Sequence, residues 1–181
     1  MIDTNDPCFV FGHNLDSEGG GTRIRTGELN QAWVHIDYSH PSAARFLDSL
    51  DIQKIVVQSL TQPDTRPRTV KFKEGLLVFI RGINLNPGAD PEDMISLRIW
   101  IEADRLITVR QRKLLSIQDI NEDILAGKGP ENIPDLVVAI IGRVTDRISD
   151  YVEGIEDQLV RLELAVQSVN MSCSRSQISM L

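Results

Sequence analysis

The 181 residues include 41% apolar side chains, enough to bury the core of one or two domains, and carry a formal charge of −7 with a pI near 4.9. That charge argues against a nucleic-acid binder, which needs a basic footprint to displace counterions. Cys8 and Cys173 form no CxxC pair, which suits a reducing compartment and speaks against a thiolate zinc site. The longest purely apolar run, 136–141, is far short of the roughly 20 residues of a membrane helix.

In chain order, 8–11 predicts a short strand, and the glycine-rich turn at 16–21 returns the chain into a hairpin with 22–26. Residues 32–38 alternate as a strand, Trp33, His35 and Asp37 on one face and Val34, Ile36 and Tyr38 on the other. Pro41 suits the first turn of a short helix with an apolar stripe of Ala43, Ala44, Phe46, Leu47 and Leu50, and Asp51 is placed to cap a second one. After the prolines of 63–67, residues 69–73 alternate as a strand. The organising stretch follows, three β-rich runs between 76 and 112. The run 76–83 is almost wholly apolar and reads as a central strand. The run 96–102 alternates, Leu97, Ile99 and Ile101 against Ser96, Arg98 and Trp100, and reads as nearer an edge. Asp104-Arg105 turns it into an antiparallel hairpin with 106–110.

Ser116 with Asp119 resembles a capping box opening a helix that Gly127 and Gly129-Pro130 close. From Pro134 the texture changes. Ile141, Val144, Ile148, Tyr151, Ile155, Leu159, Leu162, Val166 and Val169 recur every 3.5 residues on average, the mark of one long helix made for a helical partner, with Gly154 its weak point at about 1 kcal/mol. Beyond Val169 the pattern dissolves into a polar end, so the chain reads as cut rather than finished. The expectation is an α/β fold, a mixed sheet flanked by helices, at 1–130, and a long helical part at 131–181.

No nucleophile setting accompanies His13, His35 and His40, and Gly19-Gly20-Gly21 lacks a lysine at phosphate-loop spacing, so no enzyme is expected. His35, Asp37 and His40 are the one candidate zinc cluster, though residues of these types at a strand end are more often hydrogen-bonded polar groups; metal-ligating residues stay unassigned. The basic groups Arg66, Arg68, Lys71 and Lys73, and Arg110, Arg112 and Lys113, suit an anion or the acidic face of another subunit, and equally a solvated sheet edge.

Several strings together resemble the CorA superfamily of divalent-metal transporters, and within it the ZntB-type zinc transporters. They are Trp33-Val34-His35, Asp64-Thr65-Arg66-Pro67-Arg68, LVFIRGIN at 77–84, Met94 with Arg98, TVRQRK at 108–113, Gly127-Lys128-Gly129-Pro130 and DQLVRLE at 157–163. The resemblance implies a cytoplasmic funnel domain of the αβα type, a long helix running toward a membrane domain beyond Leu181, and a homopentamer around an ion path at the inner membrane. The cargo it implies is zinc or a related divalent cation, with no firm resident cofactor. The family's pore Gly-x-Asn would also lie beyond Leu181; Gly82-Ile83-Asn84 spells that tripeptide at a strand end and is read as coincidence. The alternative is a freestanding coiled-coil scaffold, in which the long helix is the whole purpose.

Overall fold

The computed structural model describes residues 2–25, 29–63 and 66–178, with the side chains of the last helix described through residue 167. Strands β1 (Phe9–Leu15), β2 (Gly21–Arg23) and β3 (Ala32–Asp37) are followed by helices α1 (Ala43–Ser49) and α2 (Lys54–Thr61). Strands β4 (Arg68–Lys71), β5 (Leu76–Gly82), β6 (Ile95–Ile101) and β7 (Arg105–Arg110) then precede α3 (Leu115–Leu125) and α4 (Ile133–Ile178).

The seven strands form one sheet in the order β2-β1-β3-β7-β6-β5-β4. Only β3 and β7 pair in parallel, with His35 opposite Thr108 and Ile36 opposite Val109; every other neighbouring pair is antiparallel. This parallel pair is covered on both faces, as parallel strands require. Val34, Ile36, Ile107 and Val109 pack in one core with Phe46 and Leu47 of α1 and Val56 and Leu60 of α2. The opposite face carries Trp33, His35, Leu106 and Thr108, all buried. There α3 turns inward Ile117, Ile120 and Ile124, and Asn121 meets His13 of β1 at 2.7 Å. Gly82 lets α3 approach this closely, since a Cβ there would lie 2.6 Å from Leu114 Cδ1. The mixed sheet flanked by helices is therefore the observed architecture.

Three local expectations are corrected. Strand β5, read as central, lies beside the edge strand β4, whereas β6, read as nearer the edge, lies between β5 and β7 with Arg98 and Trp100 only 1% exposed. Trp100 buries its bulk with its polar tip answered, Nε1–H donating to Glu102 at 2.6 Å, whereas Arg98 donates through Nη2 to Tyr38 and to the Gln62 carbonyl and leaves Nε and Nη1 without an acceptor among the described residues. Asp51 does not cap α2, whose N-cap is Gln53; it takes a left-handed φ of 58° where the chain turns out of α1, a conformation aspartate tolerates better than most residues. Ser116 does not cap α3 either. Its hydroxyl donates to the Arg143 carbonyl of α4 at 3.3 Å, and the N-cap position belongs to Leu114.

The end of α3 follows its sequence: Gly127 adopts a φ of 68°, and Lys128 N–H reaches back to the Asp123 carbonyl at 2.8 Å. A reciprocal Asn132/Asp135 pair opens α4, the Asp135 N–H donating to Asn132 Oδ1 at 2.9 Å and Asn132 Nδ2 to Asp135 Oδ2 at 2.7 Å. Helix α4 then continues for 46 residues through Gly154 without a break. By packing, the chain divides into two compact units, Met1–Val144 and Thr145–Leu181. In the first, Ile133, Leu136, Ile140 and Val144 of α4 are buried. The described residues of the second are all helical.

Candidate functional site

At the strand end after β3, His35, Asp37 and His40 are hydrogen-bonded polar groups, each engaged separately. His35 is fully buried, its Nδ1 2.7 Å from Thr108 Oγ1, which also accepts the Trp33 Nε1–H at 2.8 Å. Burial first, and the nearby Arg110 charge second, hold the His35 pKa down to about 3. Its neutral ring is thus locked into an aromatic cluster with Phe11 at 4.8 Å. The Asp37 carboxylate accepts from the Ser39 N–H at 3.0 Å and Ser39 hydroxyl at 2.5 Å, and His40 Nδ1 lies 2.6 Å from Ser42 Oγ. Among the described residues no group of three histidine, cysteine or carboxylate side chains is placed to hold a metal.

Ser42, His40 and Asp6 do meet, in an order unsuited to nucleophilic catalysis. The Ser42 hydroxyl donates to Asp6 Oδ1 and faces His40 Nδ1, so the serine sits between acid and imidazole. A hydrolytic triad needs the imidazole in the middle, where it takes the proton from the nucleophile. The Ser42 hydrogen bond first, and the Cys8 N–H second, hold the Asp6 carboxyl below its usual range, while burial and then Asp6 push the Cys8 thiol up to about 12. Such a thiol stays protonated and unreactive.

The basic groups separate into a solvated edge and a lined cavity. Arg66, Lys71 and Lys73 are exposed on or beside edge strand β4, and Arg68 lies over the Phe79 ring at 4.4 Å. Arg112 instead makes a forked ion pair with Asp93, at 2.5 and 3.1 Å. Hydrogen bonding to Arg112 holds the Asp93 carboxyl down, and the same bond raises Arg112. Together with Tyr38, Arg81, Arg98 and Gln111 these side chains line a cavity of about 260 Å³. Sequence reasoning missed this site because it read the strand of Arg98 as nearer an edge and named no partner for its guanidinium. The available signal was Tyr38, the one aromatic residue at the end of β3 able to cover a guanidinium. Gly82-Ile83-Asn84 has a local role: Asn84 is 2% exposed and its Oδ1 accepts from the Asn86 side chain at 2.8 Å.

The second unit has a different electrostatic character. Between 145 and 167 six carboxylates face two arginines. At 100° per residue, Asp146, Asp150, Glu153 and Asp157 fall on one face of the helix, and Ile148, Val152, Ile155, Leu159 and Leu162 on the opposite one. Leu159 and Leu162 are 55% and 64% exposed. The acidic face is an extended field rather than a chelating cluster.

Residues 30–181 match the family described as CorA-like Mg2+ transporter protein. The chain is 38% identical over 169 residues to the divalent cation transporter CmaX of Pseudomonas aeruginosa, covering 88% of this chain and 51% of CmaX. The structure of full-length CmaX superposes with a TM-score of 0.83, 88% of this chain on 52% of that one. The zinc transport protein ZntB of Yersinia enterocolitica is 31% identical over 159 residues, 85% of this chain and 49% of ZntB. The crystal structure of the ZntB cytoplasmic domain from Vibrio parahaemolyticus gives a TM-score of 0.76 at 26% identity, over 84% of this chain and 64% of that domain. The chain spans about half the length of the curated relatives it matches.

Proposed function

We propose a function from one premise: this chain belongs to the family of CorA-like Mg2+ transporter proteins. It is the cytoplasmic, cation-facing domain of a divalent-cation transporter at the inner membrane, with zinc as the cargo. The observation that carries this reading is the fold match to a ZntB cytoplasmic domain over 84% of the chain. The work of the domain is electrostatic and mechanical, without a chemical reaction of its own. The α/β part, 1–130, is a rigid support, and the helical part, 131–181, leads toward pore-forming segments. No helix among the described residues is long and apolar enough to cross a membrane.

Charge and amphipathicity suggest how the helical part serves transport. Carboxylates aligned on one side of α4 raise the local concentration of a divalent cation, by tenfold or more where field lines are focused. The apolar stripe opposite them packs on a second copy of the chain, five copies surrounding the ion path. The natural reading frame tests this. Translation continuing past Leu181 into apolar segments of about 20 residues is the expected result; a stop codon at that point favours the freestanding coiled-coil scaffold instead.

A further inference from the structure

We propose that the cavity between α3 and the sheet, lined by Arg23, Arg110, Lys113, Gln118 and Asn121, binds a small oxyanion of the phosphate class. The topology assembles it. Arg23 of β2 lies opposite His13, and Arg110 follows Thr108 by two residues on β7, so both stand on the face that α3 covers. Between their strands, Phe11 and Val10 of β1, where the ladder with β3 shifts register, give the cavity an apolar floor. Lys113 enters from the connection between β7 and α3, and Gln118 and Asn121 from α3 itself.

The donors here are open. Arg23 and Lys113 are exposed and form no ion pair with a described residue. Arg110 has Asp37 at 3.8 Å from Nε, too far for a hydrogen bond, and burial outweighs that carboxylate, holding the guanidinium below its usual range. Its Nε is sealed from solvent, but Nη1 and Nη2 are not, and neither has an acceptor among the described residues. They form the two-pronged edge that phosphate oxygens accept. Asn121 presents its amide oxygen to His13 Nε2 at 2.7 Å, which leaves Nδ2 as a further donor on the cavity wall. Against three cations the lining has one carboxylate, the exposed Glu122, in a chain whose net charge is −7. A multiply charged anion with several oxygens answers this excess better than a monocarboxylate, and a volume of about 320 Å³ suits phosphate or a small phosphate ester.

Calorimetric titration of the 181-residue chain with inorganic phosphate, against chloride at matched ionic strength, tests the site. The expected result is saturable one-site binding with a matching rise in melting temperature. Arg23→Gln with Lys113→Gln weakens binding roughly tenfold or more, and because both side chains are exposed the pair melts with wild type when phosphate is absent. Lys71→Gln with Lys73→Gln removes the same charge from edge strand β4 and the turn after it, and leaves the affinity within about twofold of wild type. Asn121→Asp keeps the shape of the wall but sets a negative charge against the ligand; it weakens binding severalfold and decides the matter should the first pair not fold. Absence of saturable binding in wild type overturns the proposal, as does binding that neither Asn121→Asp nor the first pair weakens. An equal loss in the two paired variants also overturns it, since it marks an adventitious ion only, drawn by net charge.

Discussion

His35 shows what the sheet does to an ionisable side chain that it encloses. Its folded pKa is depressed to about 3, so between that value and the unfolded value near 6.5 the unfolded chain binds a proton that the native chain refuses. Stability therefore falls as pH drops through this window, by roughly 1.4 kcal/mol per pH unit for one fully titrating group. His13, depressed mainly by burial, acts in the same direction. Asp6 and Asp93 have lowered carboxyl values, so their stabilising contribution is lost only below the ordinary 3.8. Urea unfolding at pH values from 7 to 4.5 isolates the histidines. His35→Gln, which does not titrate, is expected to flatten the dependence by about one proton; an unchanged slope contradicts the assignment. Arg98 marks the limit of legibility at this scale. Period two shows that residues 96, 98 and 100 share a face, but whether that face is covered depends on Tyr38, Gln62 and Glu102, which the alternation does not bring into view.

Elements with a long, regular pattern were legible, and those set by a single contact were not. Helix α4 announces itself through four heptads, and one glycine at about 1 kcal/mol does not interrupt so long a run. The alternation of β3 likewise sorts its two faces correctly. The caps at Asp51 and Ser116 failed because each motif competes with a tertiary bond or turn, and the chain chose the Arg143 carbonyl over a local cap for Ser116. The order of β5 and β6 was inverted for a related reason: an apolar run measures how much a strand buries, and its neighbours decide its place in the sheet. The exposed stripe of α4 carries the prediction at this scale. Leu159 and Leu162 are worth about 1.5 to 3 kcal/mol each if fully buried, so copies are expected to associate weakly and increasingly with concentration. Sedimentation velocity across a concentration series reads this. Leu159→Asp with Leu162→Asp is expected to abolish the association; a series in which the pair of aspartates changes nothing shows that this face is not the contact.

For the whole molecule, the spread of the family strings from Trp33 to Glu163 made the fold class and the family legible, because they mark sheet, turn and helix together. The arginine-lined cavity was not legible, since its walls come from the end of β3, from β5 and β6 and from the segments flanking them, a juxtaposition only the sheet order creates. The central proposal is that the acidic face of α4 serves divalent-cation transport, in a transporter that includes this chain as proposed above. Zinc flux into proteoliposomes reconstituted with that protein measures it, comparing wild type with a variant carrying Asp146→Asn, Asp150→Asn, Glu153→Gln and Asp157→Asn. The account predicts zinc flux that falls severalfold in the variant at low ionic strength, with the difference shrinking as salt shortens the Debye length from about 30 Å at 0.01 M to about 8 Å at 0.15 M. Absence of zinc flux in wild type, or equal flux in both proteins at low salt, contradicts it.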